Sequence, residues 1–448
     1  MNKLDKALGK ARDTHALVIG HGALEQLPGM FRQLFSDARA VVVADENTWA
    51  VAGAEAQRLL ENAGIETAEP FIFRDPDLFA EWSFLMQLEN HLKATGATAV
   101  AVGSGVINDL TKLASAHLGR RYIIAGTAAS MDGYTAYGAS VTFEGNKQTF
   151  DCPAPLGMVF DPQFAVKAPE GMSASGYADL IAKVPAGADW MLAEAAGVEK
   201  IDAFSFGLVQ DDLKDTLSRP AAIAAGDEAA TEKLAEGLIM SGFAMQALQS
   251  SRPASGTEHQ FSHYWDMDNL CQNGRHVSHG FKVGIGTLVS TACLEFLLDS
   301  DVPGLDADKC AAAWPSLPEL EAQIDEIFAG KPAHRERALT ETRAKYADAA
   351  TIKKQIVALQ QAWPKLKPAI REQIYPFAEV KEKLKAIRAP YEPETIGISR
   401  ERLKETFRGI PFMRSRFTGI DVLHRCGMLP AVTEKLFGKG GYWDVEGA

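Results

Sequence analysis

The stretch Thr98–Asp109 reads TAVAVGSGVIND. A β-branched run ends in Gly103-Ser104-Gly105, and helical apolar spacing follows over residues 107–119. Glycines at a strand-to-helix turn let backbone approach a ligand closely. The helix start offers free N–H groups and a positive dipole end, which suit a pyrophosphate. The run is not GxGxxG, because Asn108 stands three positions after Gly105. Alone it fits a tight turn without a ligand as well as a phosphate loop.

Working outward, similar runs occur at Ala16–Gly20 (ALVIG), Ala40–Asp45 (AVVVAD), Pro70–Phe73, Tyr122–Gly126 (YIIAG) and Leu156–Asp161 (LGMVFD). Helical spacing lies between them, near residues 23–36, 50–64 and 79–95. Nearly continuous apolar strands separated by helices predict a parallel sheet covered on both faces. Residues 140–150, SVTFEGNKQTF, predict a hairpin around Gly145-Asn146. Asp45 ends its strand, where a carboxylate can take ribose hydroxyls or cap a helix. A third strand end carries Thr127-Ala128-Ala129-Ser130-Met131-Asp132-Gly133-Tyr134-Thr135. Ligands of open α/β sheets bind at that edge.

Beyond about residue 170 strand runs give way to Ala/Leu/Glu/Lys-rich helical spacing, punctuated at Pro185, Pro303-Gly304, Pro315, Pro364, Pro390 and Pro393. The expectation is an α/β parallel-sheet domain over residues 1–168 and an all-helical domain over residues 169–448. The 448 residues carry a net charge of −12, with −15 on residues 1–300 and +3 on residues 301–448. That balance argues against a nucleic-acid partner, which needs a basic surface. No apolar run approaches the ~18 residues of a membrane span, and the N-terminus lacks a signal-peptide pattern. Five scattered cysteines without a CxxC read as reduced thiols of a cytoplasmic protein.

Four of the ten histidines, His259, His263, His276 and His279, fall within 21 residues, in SGTEHQFSHYWDMDNLCQNGRHVSHGFKVGIGT. His259 and His263 share a helix face at i, i+4. Imidazole is the commonest metal ligand, and the clustering favours a metal over ordinary surface histidines. His276 has no such support. The third ligand is usually a carboxylate, and 58 acids are available. Asp179 is one candidate, or else a first-turn acid facing the helix dipole.

A strand–GSGxxND loop, a TxxSxDGxT stretch, a GxxD helix, an SGxEHxxSHxWDM helix and an HGxKVGIGT helix, in that order, resemble the sn-glycerol-1-phosphate dehydrogenases, in particular the bacterial AraM type. These belong with the iron-containing alcohol dehydrogenases, glycerol dehydrogenases and dehydroquinate synthases. The resemblance is strong over residues 15–300. It implies a Rossmann-like first domain, a helical second domain of the dehydroquinate synthase-like kind, an active site in the cleft between them, and a homodimer. It implies reduction of a small-molecule substrate, dihydroxyacetone phosphate, by NAD or NADP cofactors with one divalent metal (Zn, Ni or Fe). The metal would be held by Asp179, His259 and His279. His263 and Asp132 would contact substrate as catalytic residues. Gly103, Ser104, Gly105, Asp109, Thr127 and Ser130 would contact the cofactor, with Asp45 near the adenosine ribose. Two positions depart from the pattern: Ala136 replaces a cofactor-contacting serine, and Phe281 replaces the glutamate of an HGE triplet. The second argues against a close glycerol-dehydrogenase or dehydroquinate-synthase assignment. A polyol or alcohol dehydrogenase for an unphosphorylated or phosphonate substrate, a phosphate-eliminating cyclase and a non-catalytic nucleotide-binding protein are the rivals. For the substrate phosphate the cationic candidates are Arg400, Arg402, Lys404, Arg408, Arg414, Arg416 and Arg425, unless these form a solvated helix face.

Overall fold

A computed structural model describes residues 3–445 and Gly447. Six parallel strands form one sheet: β1 (Ala16–Ile19), β2 (Ala40–Asp45), β3 (Phe71–Phe73), β4 (Thr98–Gly103), β5 (Ile123–Gly126) and, after a hairpin of β6 (Ala139–Phe143) and β7 (Asn146–Phe150), β8 (Gly157–Phe160). Their order is β1-β8-β5-β4-β2-β3. Val41, Val42 and Val43 are all fully buried, as are Val100, Ala101 and Val102. Burial of consecutive residues means both faces are covered, which is why these strands read as unbroken apolar runs. The crossover helices are α1 (Leu27–Phe35), α2 (Ala54–Asn62), α3 (Trp82–Thr95) and α4 (Gly105–His117).

The chain leaves β2 towards β3 and leaves β4 in the opposite direction, towards β5. The loops after these two neighbouring strands therefore diverge, and an open sheet binds its ligand in the crevice so formed. Val43 is level with Ala101, and Gly103 with Gly126. The ends of β2, β4 and β5, with Asp45, Gly103 and Thr127, thus lie together along one edge. The β6–β7 turn is Glu144-Gly145, both at positive φ (49° and 76°), with Asn146 already paired to Phe143. The turn sits one residue earlier than the sequence suggested, since a two-residue I′ loop needs two positive φ values.

Two compact units divide the chain. The first holds residues 1–180, 204–251 and 386–388; the second holds residues 181–203, 252–385 and 389–448. The first unit adds to the sheet α5 (Glu170–Ile181, all but its last residue) and α7 (Glu228–Leu248); the second contains α6 (Lys183–Ala195), α8 (Thr257–Met267), α9 (His279–Asp299) and α10 (Ala349–Gln373). Strands stop where the sequence texture changes, except for a two-residue hairpin at Cys271–Gln272 and Arg275–His276. Pro364 does not end a helix, contrary to expectation: α10 runs through it and through Pro368. Burial of Ile352, Ile356, Leu359, Trp363, Leu366 and Ile370 along one stripe outweighs the hydrogen bonds two prolines remove. The expectation that no segment reaches the length of a membrane span also needs correction. Helix α9 is long and apolar enough to cross a membrane, but 83% of that window is buried within the fold, as in the core helix of a globular unit. The cysteines carry free thiols.

Candidate functional site

At the sheet edge, packing requires Gly103 and leaves Gly105 only tight contact with the flexible Met131 side chain. A Cβ on Gly103 would lie 2.6 Å from the Ile107 Cβ, and one on Gly105 would lie 3.3 Å from Met131. Helix α4 starts at Gly105, and its N-cap Ser104 makes no side-chain cap bond. Thr127 N–H donates to the Gly103 carbonyl at 3.1 Å, tying two strand ends together. Asp45 caps the short helix Glu46–Thr48, accepting from Thr48 N–H at 2.8 Å in a capping box. The capping role weighed from sequence is therefore present. Asp109 accepts from the Ser140 N–H and the Asn108 side-chain amide, so it anchors the start of β6. Ser130 bonds the Tyr134 hydroxyl, whose pKa burial pushes up.

The loop Thr127–Gly138 is held from three sides. The fully buried Lys112, on α4, donates to the carbonyls of Gly133, Ala136 and Gly138 at 2.9, 2.9 and 3.0 Å. Burial lowers its pKa, and the Asp109 charge opposes that fall. Helix α5 approaches at Gly176, where a Cβ would stand 2.0 Å from the Ala129 carbonyl oxygen. Helix α7 approaches at Gly242, where a Cβ would stand 2.2 Å from Thr135 Oγ1. Asp132, so positioned, accepts from Ser241 Oγ at 2.8 Å, and its N–H donates to Asp179 Oδ2 at 3.1 Å.

In the second unit, His259 and His263 lie one turn apart on α8, and His279 is the first residue of α9. His259 Nδ1–H donates to Glu258 Oε1 at 2.8 Å, and Glu258 Oε1 also accepts from Gly256 N–H at 2.6 Å. A hydrogen bond of 3.2 Å joins His279 Nδ1 to Ser262 Oγ. Both rings are thus oriented through Nδ1, which leaves Nε2 for a metal. Asp189 ties this region together by accepting from Thr257 N–H and Gly419 N–H, each at 2.7 Å. Burial, then the Glu258 charge, raises its pKa to about 7. His263 keeps an exposed face although protein crowds around it. That crowding, and next the Arg414 charge, hold its pKa well below the ordinary value. His276 is exposed, with its Nδ1 3.5 Å from the Cys271 thiol.

Asp179 lies on α5, two residues before the helix enters the second unit. Its carboxylate and one ring nitrogen each of His259 and His279 lie within 4.8 Å of one another. A buried hard oxygen donor with two oriented imidazoles suits a divalent first-row ion.

The cationic candidates sort clearly. Arg400 pairs with Glu394 at 3.0 Å, Arg402 with Asp268 at 3.2 Å, and Arg425 bonds Gln355 and the Lys345 carbonyl. Arg408 is exposed. Arg414 and Arg416 instead turn inward and both bond Ser255. Sequence reasoning missed Lys112, Ser241, Glu258 and Ser262. The last two were legible in principle, as polar neighbours inside the histidine string. Lys112 carried no signal, because a lysine at helical spacing ordinarily marks a solvated face.

Residues 18–169 match the family model for iron-containing alcohol dehydrogenases. A glycerol-1-phosphate dehydrogenase [NAD(P)+] of Halalkalibacterium halodurans is 36% identical over 279 residues, 62% of this chain and 69% of that protein. The same enzyme of Bacillus velezensis is 33% identical, covering 69% of this chain and 83% of the relative. That of Methanosarcina mazei is 33% identical, covering 61% and 74%. Among solved structures, a probable glycerol dehydrogenase of Sinorhizobium meliloti superposes with a TM-score of 0.58 at 15% identity, over 94% of this chain and 98% of that one. The glycerol dehydrogenase of Schizosaccharomyces pombe gives 0.58 at 16% identity, over 94% and 90%. At these identities the structural likeness speaks for the fold.

Proposed function

Since the chain belongs to the glycerol-1-phosphate dehydrogenases, we propose that it reduces dihydroxyacetone phosphate to sn-glycerol 1-phosphate with NADH or NADPH. The observation that carries the reading to these residues is the convergence of Asp179, His259 and His279, with both rings already oriented through Nδ1.

The dinucleotide is assigned to the divergence of the β2 and β4 loops, with Gly103, Ser104, Gly105, Thr127 and Ser130 along its phosphates and nicotinamide. Asp109 supports that edge from behind by fixing the hairpin. Asp45 faces the ribose, and its charge disfavours a 2′-phosphate, which leans the preference to NAD. When bound, a divalent ion on Asp179, His259 and His279 supplies Lewis-acid polarisation of the ketone, and the reduced nicotinamide supplies the hydride. Asp132, held by Ser241, accepts a hydrogen bond from the terminal hydroxyl and so orients the carbonyl carbon. His263 hydrogen-bonds the C2 oxygen, and its exposed face lets a solvent proton reach that atom. The thiol inventory supports a cytoplasmic location, and the family resemblance supports a homodimer.

The test is NADH oxidation by the purified protein with dihydroxyacetone phosphate and with dihydroxyacetone, together with elemental analysis. Oxidation with the phosphorylated ketone and one equivalent of Zn, Ni or Fe is expected. Turnover of the unphosphorylated ketone alone would favour a polyol dehydrogenase, and substrate conversion without net NADH consumption a cyclase. Asp179→Asn and His279→Ala should each lose the metal; retention in both would refute the ligand set.

A further inference from the structure

We propose that Met131 is a positioning residue for this reaction: its side chain ties the glycine loop assigned to the dinucleotide to Asp132, assigned to the substrate hydroxyl, so that occupation of one is transmitted to the other. The proposal rests on those two assignments. Met131 directly precedes Asp132 and is half-buried. Its side chain lies between two glycines. A Cβ on Gly105 would stand 3.3 Å from both Met131 Cγ and Cε, and one on Gly133 would stand 2.9 Å from Met131 Sδ. Neither glycine has the left-handed φ that would itself demand glycine. What the two share is the thioether that fills the space of their missing methyl groups. Gly133 N–H also donates to Met131 Sδ at 2.8 Å, which closes the chain around Asp132.

The partners of this short loop form one stripe of α4. Met131 packs on Gly105, the first residue of that helix. The Gly133 carbonyl accepts from Asn108 Nδ2 at 3.4 Å and from Lys112 Nζ at 2.9 Å. Gly105, Asn108 and Lys112 stand at i, i+3 and i+7, so they share one helix face. Asp132 is thus bracketed, with the residue before it resting on the helix start and the residue after it bonded further along. Its own N–H and carboxylate tie it to Asp179 on α5 and Ser241 on α7.

The three contacts with α4 differ in kind. Asn108 and Lys112 are fully buried and grip backbone through hydrogen bonds, so they set the height of the loop on the helix. The Met131 contact is half-buried, and it is made at the helix start, where free N–H groups suit a phosphate. Methionine, unbranched and polarizable, follows small movements of a neighbour without losing contact. A pyrophosphate drawn to the Gly105 N–H acts on the residue that Met131 packs against. A hydroxyl on Asp132 acts on the residue next to Met131. Two ligands are coupled when both bias one element, and this side chain is where the two meet.

The experiment uses the metal-loaded protein with NADH and sn-glycerol 1-phosphate, a pair that cannot turn over because both members are reduced. NADH fluorescence gives its dissociation constant with and without saturating phosphoester. In the parent the phosphoester should tighten NADH by about 5-fold or more. In Met131→Ala the ratio should fall below about 2. Met131→Leu keeps bulk over Gly105 and removes the acceptor for Gly133 N–H, so its ratio should lie between the two. A methionine with only a structural role would change both dissociation constants alike and leave their ratio. Circular dichroism and bound metal report whether the variants fold, and if Met131→Ala does not, Met131→Leu carries the test. A parental ratio in the folded variants, or a parent ratio of one, would overturn the proposal. A parent that binds no NADH, or that reduces only dihydroxyacetone, would instead overturn the functional reading.

Discussion

Replacing Lys112 with methionine isolates what one buried ammonium contributes. The ammonium donates to the carbonyls of Gly133, Ala136 and Gly138 within 3.0 Å, and the side chain is 1% exposed. Methionine preserves the volume and removes all three donors. A buried carbonyl left without a partner costs about 1–3 kcal/mol, so three set a ceiling of roughly 9 kcal/mol. Against this stands the cost of burying the ammonium, the same burial that lowers its pKa, of several kcal/mol. The difference is about 3–5 kcal/mol, as for removing one partner of a buried charged interaction. In a unit of about 230 residues, that is a fall in Tm of roughly 6–20 °C. Differential scanning calorimetry measures it, and steady-state kinetics follow the loop's cargo. Asp132 loses its fixed position, so KM for dihydroxyacetone phosphate should rise as the melting point falls. A Tm within about 2 °C of the parent, with KM unchanged, would show that Lys112 does not hold this loop.

Glu258→Gln should weaken metal binding about 10- to 100-fold, because a neutral amide oxygen accepts the His259 Nδ1–H bond more weakly than a carboxylate and makes the ring a poorer ligand; competition against a chromophoric chelator measures this, and unaltered affinity would remove Glu258 from the site. Gly176→Ala forces a Cβ against the Ala129 carbonyl at 2.0 Å, so α5 or the loop must shift. A loss of about 1–3 kcal/mol should appear in the melt together with weaker metal binding through Asp179, and a normal melt would contradict the close approach. His424, edge-on to Trp314 at 4.9 Å, has its pKa lowered from 6.5 to about 4 by burial and then by the Lys345 charge. The unfolded chain takes up the proton first, so stability is full above pH 6.5 and falls as pH drops towards 4, by about 3 kcal/mol. His424→Leu should flatten that part of the stability-against-pH curve, and an unchanged slope would place the acid sensitivity elsewhere.

The sheet was legible because burial on both faces imposes runs such as AVVVA and TAVAV, and the Gly103 loop because packing on Ile107 admits no Cβ. Local pattern also exposed His259, within a dense histidine string. Asp179 was less legible: 80 positions separate it from His259, so local pattern made it one candidate among many acids and the resemblance to a family singled it out. Other features escaped because they depend on tertiary surroundings. A lysine facing three carbonyls looks like a lysine facing water. Pro364 looks like a helix stop until the buried stripe of α10 is seen on both sides of it. Helix α9 differs from a membrane span only in what surrounds it. Arg414 and Arg416, which turn inward to Ser255, look in the sequence like Arg408, which is exposed.

The two parts of the proposed site differ in how freely they can evolve. Around Asp132 the backbone is pinched between Gly176 and Gly242 with no room for a methyl group, so almost any change there displaces the chemistry itself. The His259 and His279 rings are oriented instead by side chains, Glu258 and Ser262. Replacing those side chains alters how the metal is held while leaving the backbone around Asp132 in place. A different metal preference is therefore reached most directly through residues 258 and 262. A library confined to those two positions should yield altered metal preference at a far higher rate than one spread across the dinucleotide half.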